Sequence, residues 1–152
     1  MTETVAVQIQ HASECDTVPT DDKLRAWITT AVDATRHGEM TLRIVAEAES
    51  ADLNMRYRGG EGPTNVLAFP AEAVRFTMEG DLSPIGDLVV CAPLLAREAR
   101  EQGKTAQAHW AHVVVHGALH LVGYDHETNK QAQLMEARER ELMATLGFPD
   151  PY

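Results

Sequence analysis

Eleven residues constrain this chain more than any others: His116-Gly117-Ala118-Leu119-His120-Leu121-Val122-Gly123-Tyr124-Asp125-His126. The histidines fall at i, i+4 and i+10, within a run whose other members include Val113, Val114, Leu119 and Leu121. The pattern predicts a helix over about 105–122, with Thr105 as its cap. On that helix His116 and His120 share one face, about a turn apart. A helix this apolar belongs at the centre of a fold. Gly123 then breaks it, because glycine readily takes the left-handed conformation that ends helices. The turn through Tyr124 and Asp125 can swing His126 back to the same point. A lone histidine pair at i, i+4 would be weak evidence of a metal site. The third histidine, behind a helix-ending glycine, makes the pattern specific. Three neutral imidazoles with an open fourth position are the layout of a catalytic zinc site rather than a structural one. Nickel, copper or iron would also accept them.

The spacing is that of the protease motif H-E-x-x-H-x-x-G-x-x-H, with one departure. Gly117 stands where that motif has the glutamate that serves as general base for peptide hydrolysis. A metallopeptidase reading therefore keeps its metal and loses its chemistry. The stretch His-Gly-x-Leu-His-Leu-x-Gly-Tyr-Asp-His instead resembles the signature of the bacterial YbeY family, metal-dependent endoribonucleases of ribosomal RNA maturation. Further segments are similar to that family's motifs: Leu53-Asn54-Met55-Arg56-Tyr57-Arg58 with Pro63-Thr64-Asn65-Val66-Leu67-Ala68-Phe69-Pro70, then Ile85-Gly86-Asp87-Leu88, and Leu146-Gly147-Phe148-Pro149. Together they cover most of the chain from about residue 40. The resemblance implies a single-strand-specific endoribonuclease in rRNA maturation and ribosome quality control. It implies one zinc on His116, His120 and His126, and a functional arginine at Arg58. It also implies precursor rRNA as substrate, ribosomal or ribosome-associated partners, and a cytoplasmic location, with no membrane and no DNA.

Length and composition set the bounds. The 152 residues are most simply one domain, spanning 1–152. A hydrophobic content of 44% and a charged content of 24% are ordinary for a globular protein. No apolar run approaches the roughly 20 residues of a membrane helix. The start, Met1-Thr2-Glu3-Thr4-Val5, lacks the basic and apolar regions of a signal peptide. Cys15 and Cys91 make no motif and read as free thiols. The net charge of −10 opposes extended, tight RNA binding by the free protein, because phosphate contacts carry most of such affinity. A bound divalent ion and Arg58 would make the cleft locally positive, so weak binding assisted by a partner is expected.

In chain order, residues 4–10 alternate as a half-buried strand. Thr20, Asp21 and Asp22 can cap a helix from about 22 to 36, with Leu24, Trp27, Ile28, Ala31 and Val32 on its apolar face and His37 in its last turn. A strand from Thr41 to Ala48 follows, then a short helix over about 51–57 capped by Ser50. The glycine-rich stretch 56–63, which includes Arg56 and Arg58, reads as a flexible loop without a nucleotide-phosphate motif. Residues 65–69 and 87–91 are strands, the second buried on both faces, and 71–84 form a loop or hairpin excursion. Pro93 opens a helix to about Gln102, on which Arg97 and Glu98 look like solvated charges. His112 lies one turn before His116 and is a candidate second partner of the site; His109 reads as a surface residue. After His126 a last helix reaches about Leu146. Its Glu136, Arg138, Glu139, Arg140 and Glu141 look solvated. Residues 147–152 read as a short arm.

The order predicts an α+β fold, a four-stranded mixed sheet covered by helices, with the metal helix central and the 54–66 loop bounding a cleft. Asp125 is the carboxylate nearest the triad in sequence and reads as a partner or cap rather than the general base. The ion's own hydroxide or the RNA 2′-OH could fill that role. Two other classes compete with the nuclease: a metallopeptidase-like zinc hydrolase, and a non-catalytic ribosome-assembly factor whose zinc is structural.

Overall fold

In the computed structural model, which describes residues 5–32, 38–71 and 84–152, the elements alternate as the hydrophobic periodicities predict. They are β1 (Val5–Ala12), α1 (Asp21–Val32), β2 (Gly38–Val45), α2 (Glu47–Arg58), β3 (Val66–Pro70), β4 (Pro84–Cys91), α3 (Ala92–Gln102), α4 (Ala106–Leu121) and α5 (Asn129–Thr145). The strands form one sheet in the order β1-β2-β4-β3, with β1, β2 and β4 parallel and β3 antiparallel to β4. This is the expected α+β architecture on a four-stranded mixed sheet. His37 and nearly all of the excursion expected over 71–84 lie outside the described residues.

β4 is the inner strand whose both faces are covered. Leu88 and Val90 join the main core with Leu42 and Ile44 of β2, Leu24 and Ile28 of α1, and Trp110, Val114 and Leu119 of α4. Val89 and Cys91 join Val45 and Leu67 in a smaller core on the other face, against Leu53 and Leu94. A continuous apolar run is what such a strand requires. Trp27 belongs to the main core and is 5% exposed, so it offers no stacking surface.

α4 runs through this core, and its placement positions the site. Thr105 caps it by accepting from the Ala108 N–H at 3.1 Å. Gly117 lets it approach the sheet: a Cβ there would lie 2.8 Å from Leu88 Cδ2 and 3.2 Å from Val66 Cγ2. Gly123, at φ +110°, turns the chain out of the helix.

Local expectations fail at α2 and α5. α2 begins at Glu47, and Ala46 rather than Ser50 is its N-cap residue. Ser50 sits within the helix, where its hydroxyl donates to the Thr64 carbonyl and accepts from the Thr64 N–H, both at 3.0 Å. That pair pins the 59–65 loop to α2. α5 starts at Asn129 behind a capping box of Thr128 and Gln131. Its Glu139 is fully buried and not solvated.

Candidate metal centre

The end of α4 and the turn after it place His116, His120 and His126 together, with one ligand atom from each within 4.8 Å of the others. Zinc–nitrogen bonds of about 2.1 Å put tetrahedral ligand atoms roughly 3.4 Å apart, so small ring rotations would bring all three onto one ion. The rings of His116 and His120 meet edge to face at 4.8 Å, and those of His120 and His126 at 4.9 Å. Such crowding of cationic rings would be repulsive. Burial first, then the neighbouring His116 and His126, hold the His120 pKa below its ordinary value. His120 is thus kept as the neutral base that a metal needs. The donor set fits a divalent ion of the zinc type.

Behind the triad lies a carboxylate that inspection of the chain misplaces. Glu139 of α5 is 0% exposed, and it accepts from His112 Nε2 at 3.2 Å, from His116 Nδ1 and from the Tyr152 hydroxyl. Burial pushes its carboxyl up, but the bonds from His112, His116 and Tyr152 outweigh that and bring it down to about 2. The signal for its burial was present in the spacing: Met135, Glu139, Leu142 and Met143 follow i, i+4, i+7, i+8, and the other three are core residues. His112 therefore does lie beside the triad. Residues 147–152 are not a free arm, since Tyr152 packs edge-on against His112 at 5.2 Å and Lys104 Nζ donates to the Pro151 carbonyl at 3.3 Å.

His109 is also misplaced by the surface reading. It is 4% exposed, and its Nε2 lies 2.8 Å from Glu98 Oε1. Glu98 also accepts from Asn65 Nδ2 at 3.2 Å, so it ties α3 to α4 and to the 59–65 loop. Arg97, by contrast, pairs with Glu47 of α2 at 2.5 Å across an exposed surface.

All of this surrounds a cleft of about 1030 Å³. The triad lines it together with Asn54, Arg58, Thr64, Asn65, Lys104, Asp125 and Tyr152. Arg58 ends α2, and its Nη2 donates to the Ala68 carbonyl at 2.9 Å. It has no carboxylate partner among the described residues. Arg56 pairs with Asp52 at 3.3 Å and does not line the cleft. Asn54 Nδ2 donates to the Gly62 carbonyl at 2.9 Å and holds the loop that forms the cleft wall. Asp125 turns back on its own backbone: its Oδ1 accepts from the His126 N–H at 2.8 Å, which fixes the turn carrying that histidine. The charged side chains lining the cleft are Arg58 and Lys104 on one side of the balance and Asp125 and Glu127 on the other, two of each sign.

Comparisons with known proteins find relatives along most of the chain. A family model described as Endoribonuclease YbeY matches residues 8–147. The chain is 48% identical to a protein named Endoribonuclease YbeY from Nitrosococcus oceani, over 97% of both chains. It is 54% identical to another of that name from Halorhodospira halophila, over 88% of both. The solution structure of TM1509 from Thermotoga maritima is similar in fold, with a TM-score of 0.52 and 26% identity, over 92% of this chain and 91% of that one. No helix among the described residues is long and apolar enough to cross a membrane.

Proposed function

The chain belongs to the endoribonuclease YbeY family, and from that premise we propose that it hydrolyses phosphodiesters within single-stranded segments of precursor ribosomal RNA. In this reading it acts in the cytoplasm, in rRNA maturation and quality control, with the ribosome or a ribosome-associated protein as partner. The observation that carries the chemistry is the convergence of His116, His120 and His126 at a cleft that also receives Arg58. The triad would hold one zinc. A divalent ion bound there supplies Lewis acidity, polarising a phosphate oxygen or lowering the pKa of a water.

The chain's own groups do the rest. Arg58 keeps N–H groups beyond the one given to Ala68, and a guanidinium can hold a phosphate through parallel hydrogen bonds and stabilise charge developing on it. The bond to Ala68 anchors that guanidinium to β3. A bound divalent ion would also tip the balanced lining charges positive, which supports phosphate binding by an otherwise acidic protein.

The competing readings meet specific obstacles. A peptidase would need a glutamate at position 117. There even a Cβ would crowd Leu88, which is 0% exposed, so a longer side chain has no room. A closed structural zinc site would need a fourth protein ligand, whereas the cluster among the described residues contains three.

Arg58→Ala should reduce cleavage of an rRNA precursor by about 100-fold or more, the scale of one lost transition-state donor, while the protein keeps its zinc. The checks are single-turnover cleavage and elemental analysis on the same preparation. Unchanged cleavage by a zinc-loaded Arg58→Ala variant would remove Arg58 from the reaction.

A further inference from the structure

A fully buried carboxylate is costly unless every lone pair has a donor. Glu139, which is 0% exposed, has three donors, two from α4 and one from the end of the chain. His112 Nε2 and the Tyr152 hydroxyl meet Oε1, and His116 Nδ1 meets Oε2. An ionised carboxylate can only accept, so His116 must carry its proton on Nδ1. Its Nε2 is then the atom with a free lone pair, and the only ring nitrogen of His116 that can ligate. Tyr152 is itself held in place. The Arg140 guanidinium carbon sits 5.3 Å from the Tyr152 ring centroid, and the Tyr152 backbone N–H donates to Asp150 Oδ1 at 2.9 Å. Pro151 and Tyr152 also form part of the cleft wall.

We propose that Glu139 is a positioning residue of the metal centre, fixing His116 as the Nδ1–H tautomer with Nε2 presented to the ion, and that Tyr152 shares the same carboxylate and so couples the 147–152 segment to metal affinity. This rests on the reading of the triad as a metal centre. The physical basis is general: a carboxylate behind a ligating imidazole fixes its ring and raises its basicity, and such partners carry a measurable share of the affinity. Tyr152 adds a donor to Oε1, which keeps that oxygen satisfied and frees Oε2 for His116. The proposal makes a segment that follows the last helix a component of the site, not a covering for it.

The test measures Zn²⁺ affinity by chelator competition for the wild type, Glu139→Gln, Tyr152→Phe and His116→Ala, with thermal unfolding recorded for each. Nitrogen-15 correlation spectra of the histidine rings report the tautomers. The wild type should show His116 protonated at Nδ1. Glu139→Gln, whose amide can turn a donor toward His116, should weaken zinc binding by about 10–100-fold and lose that tautomer preference. Tyr152→Phe keeps the ring packing and should weaken binding by about 3–10-fold, the worth of one hydrogen bond. An Nε2-protonated His116 in the wild type overturns the proposal. So does zinc affinity within twofold of wild type in Tyr152→Phe or in a folded Glu139→Gln. If Glu139→Gln does not fold, Tyr152→Phe and the wild-type tautomer decide. Zinc binding that His116→Ala leaves intact would instead remove the triad reading itself, and this proposal with it.

Discussion

Three imidazoles of α4 meet a carboxylate from a neighbouring helix, and two of these pairs, those of His109 and His116, differ in where the second ring nitrogen goes. His109 is paired through Nε2 with Glu98 of α3, and its Nδ1 is buried with no partner. His116 is paired through Nδ1 with Glu139 of α5, and its side chain keeps 27% exposure beside the cleft. The first pair leaves only the buried Nδ1 and serves packing: it satisfies a carboxylate that also holds Asn65 and the loop. The second leaves one nitrogen open next to His120 and His126. The same chemical pair is thus structural or functional according to the accessibility of one atom.

The contrast can be broken from the His109 side. His109→Ala empties volume inside the fold and strips Glu98 of its strongest partner. It should cost about 2–4 kcal/mol of stability. Denaturant unfolding measures the loss. Zinc affinity of the folded variant should stay within twofold of wild type. A large fall in zinc affinity without loss of stability would show that the His109 pair belongs to the metal centre.

A smaller effect, confined to low pH, sharpens the other side. The Glu139 carboxyl is held at about 2, below its ordinary 4.5. A depressed carboxyl stabilises the fold fully above the unfolded value and loses that contribution as pH falls toward the folded one. Metal-free wild type should therefore lose roughly 1–3 kcal/mol between pH 4.5 and 2 through this group. Glu139→Gln should lack that component. Unfolding of both proteins at matched pH values gives the difference; identical slopes would mean that Glu139 is not held as a buried anion.

These two pairs also mark how far the fold and the site could be read from the chain. The element order, the central α4, its Thr105 cap and the grouping of His116, His120 and His126 follow from local periodicity and the break at Gly123. The carboxylate partners of His109, His112 and His116 do not, because Glu98 and Glu139 come from other helices and their burial depends on a donor supplied from a distance. α5 is charge-rich around Glu139, so its short-range pattern is that of a solvated face. Only the register with Met135 and Leu142 puts that carboxylate on the buried side. Ser50 misleads for a related reason. Serine suits a cap, but here its hydroxyl answers to Thr64, fourteen residues away, and the helix starts earlier at Glu47. Arg58 carries no local signal separating it from Arg56. The difference lies in tertiary structure: one lines the cleft, and the other pairs with Asp52 on an exposed surface.

The most direct test of the metal centre is X-ray absorption on the zinc-loaded wild type, with zinc content measured on the same sample and on His116→Ala. One ion per chain, three imidazole nitrogens and one further light atom in the wild type, with zinc lost in His116→Ala, is the predicted result. A sulfur ligand, fewer than three imidazoles, or full zinc occupancy in His116→Ala would contradict it.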